Sequence, residues 1–223
     1  MNAGSAEARG RKSPRAVRAI LRALEKAYPA AVTALTYDTP YQLLVATILS
    51  AQCTDERVNH VTARLFRDHP GPEDVLRLSQ EELESYIRSC GLFRNKARNI
   101  LAATRALVEE HEGCVPRDRE ALMALSGVGR KTANVVLANV HAMQTIAVDT
   151  HVFRVSRRLG LAHGATPRRV EDELMEAIPE GEWAATHHRL IAHGRAICKA
   201  RTPLCGQCPL TRWCDWYAAN VAS

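Results

Sequence analysis

Residues 125–133 have the sequence LSGVGRKTA, which joins two short helical segments through a glycine-x-glycine turn. Glycine allows positive φ and lets a second chain approach the backbone closely. The helix that starts at Arg130 then presents its free N–H groups and the positive end of its dipole outwards. Such a helix end can bind a DNA phosphate without reading base sequence. Many helix connections, however, contain glycines for turning alone, so both interpretations of this turn remain open at this point.

Helix start signals recur on both sides of this turn. Ser, Thr or Asp precedes a proline or an apolar residue with helical periodicity at six positions. The predicted N-caps are Ser13, Thr39, Thr54, Ser79, Asp149 and Thr166. Further helices are predicted over residues 94–112, 117–125 and 130–141, and from about Trp183 onwards. Because no segment shows sustained period-two alternation bounded by turn signals, we expect an all-α chain without internal repeats.

Four cysteines near the C-terminus have the spacing of a metal site. Cys198, Cys205, Cys208 and Cys214 follow the pattern C-x6-C-x2-C-x5-C. Four thiolates this close in sequence can bind one iron–sulfur cluster or one tetrahedral zinc ion. The residues alone leave the choice between these two metals open.

Composition indicates the setting of the protein. The chain has 223 residues, a net charge of +6 and an isoelectric point of about 9.1, which favours polyanionic partners, nucleic acid first. No apolar stretch approaches the roughly 18 residues that cross a bilayer, and the first dozen residues lack the apolar segment of a secretory signal. We therefore expect an intracellular protein, in which structural disulfides are rare. Cys53, Cys90 and Cys114 are accordingly predicted to be small, buried hydrophobic residues.

Two residues are of types that catalysis uses. Lys131 lies near the positive end of its helix and beside Arg130, and both neighbours favour a neutral, nucleophilic amine that can form a Schiff base with a sugar aldehyde carbon. Asp149, within the sequence VDTHVFRV, is a good helix cap. If the fold brings it beside Lys131, its carboxylate can accept a proton or stabilise an oxocarbenium ion. The simpler alternatives are a lysine that contacts phosphate and an aspartate that only caps.

Further basic residues and histidines surround the cysteines. Arg154, Arg157 and Arg158 form a basic helix face, which is usually solvated surface. The basic residues of the cysteine loop are predicted to contact phosphate; they are Lys199, Arg201 and Arg212. His187, His188 and His193 precede the first cysteine. With four cysteines available, we expect these histidines to contact phosphate or to pack, and not to bind metal.

Three motifs in this order resemble the endonuclease III family of helix-hairpin-helix DNA glycosylases: LxGVGRKTA, VDTHxFRV and the four-cysteine loop. The similarity extends from about Pro14 to Trp216. It implies two helical domains flanking a DNA-binding cleft. One is a six-helix bundle over residues 33–143 that includes the helix-hairpin-helix at about 117–141, and the other combines residues 14–32 with 144–223 and holds a [4Fe-4S] cluster on the four cysteines. Residues 1–13 are expected to form a disordered basic tail.

The same resemblance implies a bifunctional DNA glycosylase and abasic-site lyase, with Lys131 as the nucleophile and Asp149 as an essential carboxylate. An oxidised pyrimidine would be flipped out of duplex DNA and removed, and the strand would then be cut by β-elimination. Gln52 matches the residue that fills the space left by the base, and Leu92 matches an apolar wedge beside it. The residues that would contact DNA elsewhere are Gly127, Val128, Gly129, Arg154, Lys199 and Arg201.

Two positions depart from the family pattern. Ser126 stands where proline is usual, so one turn restraint is lost and a backbone donor is gained. Cys53 stands where alanine is common, beside Gln52. The loop around Ser126 is therefore expected to be looser, and the lesion preference near Cys53 to differ.

Two other interpretations compete with the bifunctional enzyme. A monofunctional mismatch glycosylase of the same superfamily would keep Asp149 but would generally lack Lys131. A non-catalytic DNA-binding module would use the cysteines for zinc, and the joint presence of Lys131 and Asp149 would then be a coincidence.

For the leading interpretation, the expected partner is double-stranded DNA with a damaged base or abasic site. We expect a monomer without membrane contact, in the bacterial cytoplasm at the nucleoid.

Overall fold

The computed structural model describes residues 11–221, and every regular element within them is helical, which confirms the all-α prediction. Twelve α-helices follow one another in this part of the chain: α1 (Pro14–Ala27), α2 (Pro40–Leu49), α3 (Asp55–Asp68), α4 (Pro72–Leu76), α5 (Gln80–Ile87), α6 (Phe93–His111), α7 (Arg119–Ala124), α8 (Arg130–Val140), α9 (Thr150–Leu159), α10 (Pro167–Ala177), α11 (Trp183–Ala196) and α12 (Asp215–Asn220). Short 3-10 turns lie at Glu180–Glu182, Cys205–Gln207 and Thr211–Trp213. Across residues 11–221, none of these helices combines the length and the apolar character that a membrane span requires.

Side-chain caps begin six of these helices where the sequence predicts them. The hydroxyl caps each accept the backbone N–H three residues on; they are Ser13, Thr39, Thr54, Ser79 and Thr166. Asp149 caps α9 in the same way, and Ser79 forms the reciprocal capping box with Glu82. Each cap satisfies an N–H group that the helix start leaves unpaired, so these boundaries could be predicted locally.

One compact unit comprises Thr33–Met143. It contains seven helices, α2 to α8, one more than the six that the family resemblance implies. Helix α2 lies at its centre, with nine of its ten residues buried, and packs against α3, α6 and α8. Burial of each large apolar side chain such as Leu43 or Leu49 contributes about 1.5–3 kcal/mol. The apolar sequence of α2 on all sides is typical of a central helix.

The other compact unit combines the described residues up to Val32 with those from Gln144 onwards. Helix α9 is its centre and packs against α10, α11 and α12, while α1 packs against α11. The crossing of α9 and α11 is close, because a Cβ atom on Gly194 would lie 3.0 Å from the Cβ of His151. Ile20, Val155 and Leu190 belong to the core of this unit. The cysteine loop begins where α11 ends and leads into α12.

The predicted basic tail falls mostly outside the described residues, which begin at residue 11. Arg11 pairs with Glu176, and Lys12 pairs with Asp215 at the start of α12. Ser13 then caps α1. Arg11 and Lys12 are therefore in contact with the folded unit, through partners more than 160 positions away in the sequence.

Candidate nucleic-acid interface and metal centre

The first turns of α6 support two neighbouring loops of the unit Thr33–Met143. Lys96 donates a hydrogen bond from Nζ to the carbonyl oxygen of Leu49, at the end of α2, over 2.9 Å. The loop after α2 also contacts the loop before α6, because a Cβ atom on Gly91 would lie 3.6 Å from the carbonyl oxygen of Gln52. Burial lowers the pKa of Lys96. The loops that carry Gln52 and Leu92 are therefore adjacent and rest on one helix.

Gln52 and Leu92 are both exposed and both have left-handed backbone. Their φ angles are 55° and 58°, and 57% of Leu92 is accessible to solvent. A non-glycine residue in this region costs on the order of 1–3 kcal/mol, and such residues cluster at functional sites. An exposed leucine in this conformation is unusual, since bulky residues rarely adopt it. The geometry presents both side chains outwards, while their entry into a DNA duplex stays a prediction.

The turn between α7 and α8 is fixed against Asn99 of α6. Gly127 has φ 78°, and a Cβ atom there would lie 2.9 Å from the Cβ of Asn99. Both the conformation and the packing therefore require glycine. Ser126 donates from Oγ to Oδ1 of Asn99 over 3.1 Å. The serine that replaces the usual proline thus restrains the turn by a hydrogen bond, where a looser loop was expected.

At Gly129, in contrast, neither the backbone conformation nor the packing requires glycine. It is the N-cap of α8 with φ −87°, which any residue can adopt, and no atom lies within 4 Å of a Cβ atom built there. It brings no capping side chain to the start of α8, and a helix end of this kind is suited to binding an anion. Lys131 is exposed in this first turn. The side chain of Val128 is buried in the core, so its predicted DNA contact is restricted to the main chain.

Asp149 is held firmly at the start of α9. Its Oδ1 accepts both the N–H of His151 at 2.8 Å and that of Val152 at 2.7 Å. The predicted cap is confirmed, and it uses one oxygen of the carboxylate. The position of the carboxylate is thus set by the helix, and its catalytic role stays a prediction.

Arg154, predicted to bind DNA, makes its contacts inside its own unit. Its guanidinium donates to the carbonyl oxygens of Cys198 and Gly194, each at 3.0 Å. It thereby ties α9 to the end of α11 and to the first cysteine. Of the three arginines on this face of α9, Arg157 is the exposed one. A DNA contact of Arg154 stays a prediction, while its structural role is clear.

The four predicted metal ligands line one cavity, together with Arg158, His193 and Trp216. Three N–H groups donate to their sulfur atoms at 3.4 Å. These bonds run from Leu210 to Cys208, from Tyr217 to Cys214, and from the Arg158 guanidinium to Cys198. Hydrogen bonds of this kind stabilise thiolate ligands and tune a cluster. Burial raises the pKa of the Cys208 and Cys214 thiols, so a bound metal is what would hold them as thiolates.

The two metals that the sequence left open need different spacings of the sulfur atoms. A single zinc ion needs sulfurs about 3.8 Å apart, because the Zn–S bond is about 2.3 Å and the geometry is tetrahedral. Over residues 11–221, no three His, Cys, Asp or Glu side chains converge closely enough for one ion, although the four cysteines share a cavity. A cluster with several irons binds each cysteine at a different corner. The residues therefore fit an iron–sulfur cluster.

The neighbouring histidines pack, and the basic residues of the loop are exposed. His193 lies with Nδ1 3.0 Å from the Tyr28 hydroxyl and Nε2 3.6 Å from the sulfur of Cys208, and burial lowers its pKa to about 4. His187 is also buried. Packing, rather than phosphate contact, is thus the role of both. Lys199, Arg201 and Arg212 are exposed, as a phosphate contact would require.

Sequence reasoning missed two supporting residues, misinterpreted a third and misjudged one cysteine. Lys96 and Asn99 find their partners 47 and 27 positions away, and no local pattern marks them. Arg158, interpreted as part of a solvated basic face, instead contacts the sulfur of Cys198, 40 positions away. The prediction that the three remaining cysteines are buried is wrong for Cys114, which is exposed after the end of α6.

Comparison with known proteins gives consistent matches. Residues 45–180 match the family model of HhH-GPD superfamily base excision DNA repair proteins, and residues 198–214 match that of the iron–sulfur binding domain of endonuclease III. The endonuclease III of Synechocystis sp. is 52% identical over 196 residues, covering 87% of this chain and 90% of the relative. That of Escherichia coli K12 is 45% identical over 197 residues, covering 88% and 93%.

Solved structures agree with these matches. A trapped endonuclease III–DNA covalent intermediate is 47% identical with a TM-score of 0.89, covering 93% of this chain and 98% of that one. A thermostable thymine-DNA glycosylase has a TM-score of 0.80 at 21% identity, which is a likeness of fold alone.

Replacing Leu92 separates backbone strain from side-chain contact. Leu92→Gly removes the exposed side chain and also suits a φ of 58°, whereas Leu92→Ala removes the side chain and keeps the strain. We expect the glycine variant to remain within about 1 kcal/mol of the parent in urea unfolding. Both variants should bind a duplex containing an abasic-site analogue about tenfold more weakly, measured by fluorescence anisotropy. Unchanged affinity in both would exclude a wedge at this position.

The two hairpin glycines should respond differently to alanine. Gly127→Ala forces positive φ and a clash with Asn99, so we expect a loss of about 1–3 kcal/mol in unfolding free energy. Gly129→Ala should unfold like the parent, because its φ is ordinary and its surroundings are open. Its methyl group should nevertheless weaken DNA binding by occupying the space where a phosphate approaches. Parental affinity of Gly129→Ala would contradict a main-chain phosphate contact.

Arg158 should control retention of the metal. Its guanidinium contacts the sulfur of Cys198 and the carbonyl oxygens of Lys199 and Ala200, and it lies over the ring of Trp216. Loss of such outer contacts typically lowers metal affinity about 10- to 100-fold. Arg158→Met should therefore lose iron and visible absorption to a chelator about tenfold faster than Arg157→Met, its exposed neighbour. Equal rates in the two variants would contradict this role.

Proposed function

Because the chain belongs to the HhH-GPD superfamily of base excision DNA repair proteins, we propose that it acts through Lys131 as nucleophile and Asp149 as assisting carboxylate. The protein is a bifunctional DNA N-glycosylase and abasic-site lyase. It removes oxidised pyrimidines from DNA and cuts the strand by β-elimination through a lysine Schiff base. It carries a [4Fe-4S] cluster, which the four cysteines bind.

The exposed position of Lys131 in the first turn of α8 is the observation that supports its assignment most directly. A nucleophilic amine has to be accessible to the sugar carbon that it attacks. Nζ would attack C1′ of the damaged nucleotide while the base leaves with the bonding electrons. Ring opening then gives an imine between Nζ and C1′. Loss of a C2′ proton expels the 3′ phosphate, and water finally releases the lysine.

Asp149 would assist the departure of the base. Its carboxylate is fixed through Oδ1 by two N–H groups of α9, so it does not reorganise during the reaction. A negative charge held in this way can stabilise the developing oxocarbenium ion or accept a proton from the attacking amine. Stabilisation of the oxocarbenium ion is confined to base removal, since an abasic site has no base left to expel, and we take this as the main role of Asp149.

DNA contacts would come from both compact units. In Thr33–Met143, Gln52 and Leu92 would enter the base stack, and the main chain from Gly127 to Gly129 would bind phosphate. In the other unit, the exposed Lys199 and Arg201 would contact the backbone. Double-stranded DNA is the partner, as in the solved complexes of the related enzyme.

Oligomeric state and location follow the same proposal. A single chain supplies each assigned residue, so we propose a monomer. Its closely matched relatives include bacterial enzymes, which supports action on DNA in the bacterial cytoplasm, at the nucleoid.

A monofunctional mismatch glycosylase is a poorer fit, because it has no need for a nucleophilic lysine at position 131.

Borohydride trapping tests the catalytic assignments. With duplex DNA containing an abasic site, the parent enzyme should form a covalent adduct on reduction, because borohydride reduces the Schiff base. Lys131→Ala should form none, whereas Lys199→Ala should still be trapped at saturating DNA. Asp149→Asn should also be trapped, but should lose the removal of an oxidised base. If Lys131→Ala is trapped as well as the parent, the nucleophile lies elsewhere.

A further inference from the structure

Two cysteines outside the metal centre lie together beneath the loops that carry Gln52 and Leu92. Cys53 directly follows Gln52, and Cys90 lies two positions before Leu92. Their thiols lie close enough to interact with one another. Cys90 is 1% exposed and Cys53 is half-buried, and both pack against the core of the unit Thr33–Met143.

The backbone around both cysteines is anchored. The N–H of Cys53 donates to the Ser50 carbonyl at 3.2 Å, and that of Cys90 donates to the Ile87 carbonyl at 2.8 Å. The Gly91 contact with Gln52 keeps the two segments adjacent. Two thiols that interact from adjacent segments, neither of them needed as a metal ligand, are candidates for a disulfide.

Positive charges near the two cysteines favour thiol–disulfide exchange. The Lys96 ammonium interacts electrostatically with both sulfur atoms, and Arg57 also acts on Cys90. A cation beside a thiol stabilises the reactive thiolate. Burial raises the pKa of Cys90 to about 11, so the half-buried Cys53 is the sulfur that a reagent reaches first. Cys90 is then the resolving thiol.

We propose that Cys53 and Cys90 form a reversible disulfide, closed by exchange with a low-molecular-weight disulfide. The Cys53 thiolate attacks one sulfur of the reagent, so that a mixed disulfide forms and the first small thiolate leaves. The Cys90 sulfur then attacks Cys53, the protein disulfide forms, and the second small thiolate leaves with the proton of Cys90. Two protein thiols are oxidised, and one small disulfide is reduced to two thiols. In a reducing compartment such a bond is transient.

The consequence for DNA rests on the proposed function, in which Gln52 and Leu92 enter the duplex. A covalent link one residue from Gln52 and two from Leu92 prevents the two loops from adjusting independently when DNA binds. The oxidised protein should therefore bind a duplex with an abasic-site analogue about tenfold more weakly. Reduction should restore the affinity.

Peptide mapping of the DNA-free holoenzyme tests the disulfide itself. After treatment with oxidised glutathione and alkylation of the remaining thiols, trypsin should release Cys53 in residues 27–57 cross-linked to Cys90 in residues 89–94. The cross-link should persist in Cys114→Ser, since Cys114 is exposed and alone, and should be absent in Cys53→Ser and in Cys90→Val. Unchanged visible absorption would show that the metal-binding cysteines have not reacted. Alkylated Cys90, with or without glutathione on Cys53, would overturn the proposal.

A second measurement separates the disulfide from its effect on DNA. Affinity is compared between reduced and fully cross-linked protein, with Cys90→Val carried through the same treatment. A tenfold loss in the parent and none in the variant supports loop control. Equal affinity of reduced and cross-linked parent would overturn loop control, although the disulfide would stand. Failure of the reduced parent to bind the duplex would instead overturn the proposed function.

Discussion

The hydrogen bond from the Lys96 ammonium to the Leu49 carbonyl is the interaction on which the exposed loops of Thr33–Met143 depend. Helix α2 is buried on all sides, so its terminal carbonyl groups have little access to water and need partners within the protein. A bond from a charged donor contributes about 1.5–3 kcal/mol, and its loss would leave a buried charge unpaired. Helix α6, which carries Lys96, also holds the hairpin turn through Asn99. Three loops thus take their positions from one rigid helix, which is how a site on loops becomes preorganised.

In the other compact unit, arginine side chains hold the cysteine loop in place. Arg154 and Arg158 donate to carbonyl oxygens at Gly194, Cys198, Lys199 and Ala200, so α9 holds the start of the cysteine loop directly. Arginine suits this work because its guanidinium is planar and offers several donors in fixed directions. The cluster, bound by four cysteines, has no coordination position left for substrate. Its contribution is to hold the loop whose basic residues are exposed, and the proposed function assigns the bond-breaking chemistry to Lys131 and Asp149.

Features encoded within a few residues could be predicted from the sequence, and features that depend on distant partners could not. The six caps, the hairpin turn and the cysteine spacing are local, and the structure contains each of them. Helices α4 and α12 are too short for a periodic pattern to reveal. The contact of Lys96 with Leu49 joins segments that only the folded core brings together. Gly127 and Gly129 give the same signal in sequence, yet packing explains the first alone.

The strain at Gln52 and Leu92 is itself an argument about function. Each left-handed residue costs on the order of 1–3 kcal/mol, out of a total stability that is typically about 5–15 kcal/mol. Glycine at either position would remove that cost, and the chain places glycine at the equally left-handed Gly113, Gly127 and Gly160, although Glu112 and Ala142 are left-handed as well. What glycine cannot supply is a side chain that projects from the loop. The glutamine and leucine at these strained, exposed positions thus agree with the proposed entry into a base stack, which would require both side chains outside the fold.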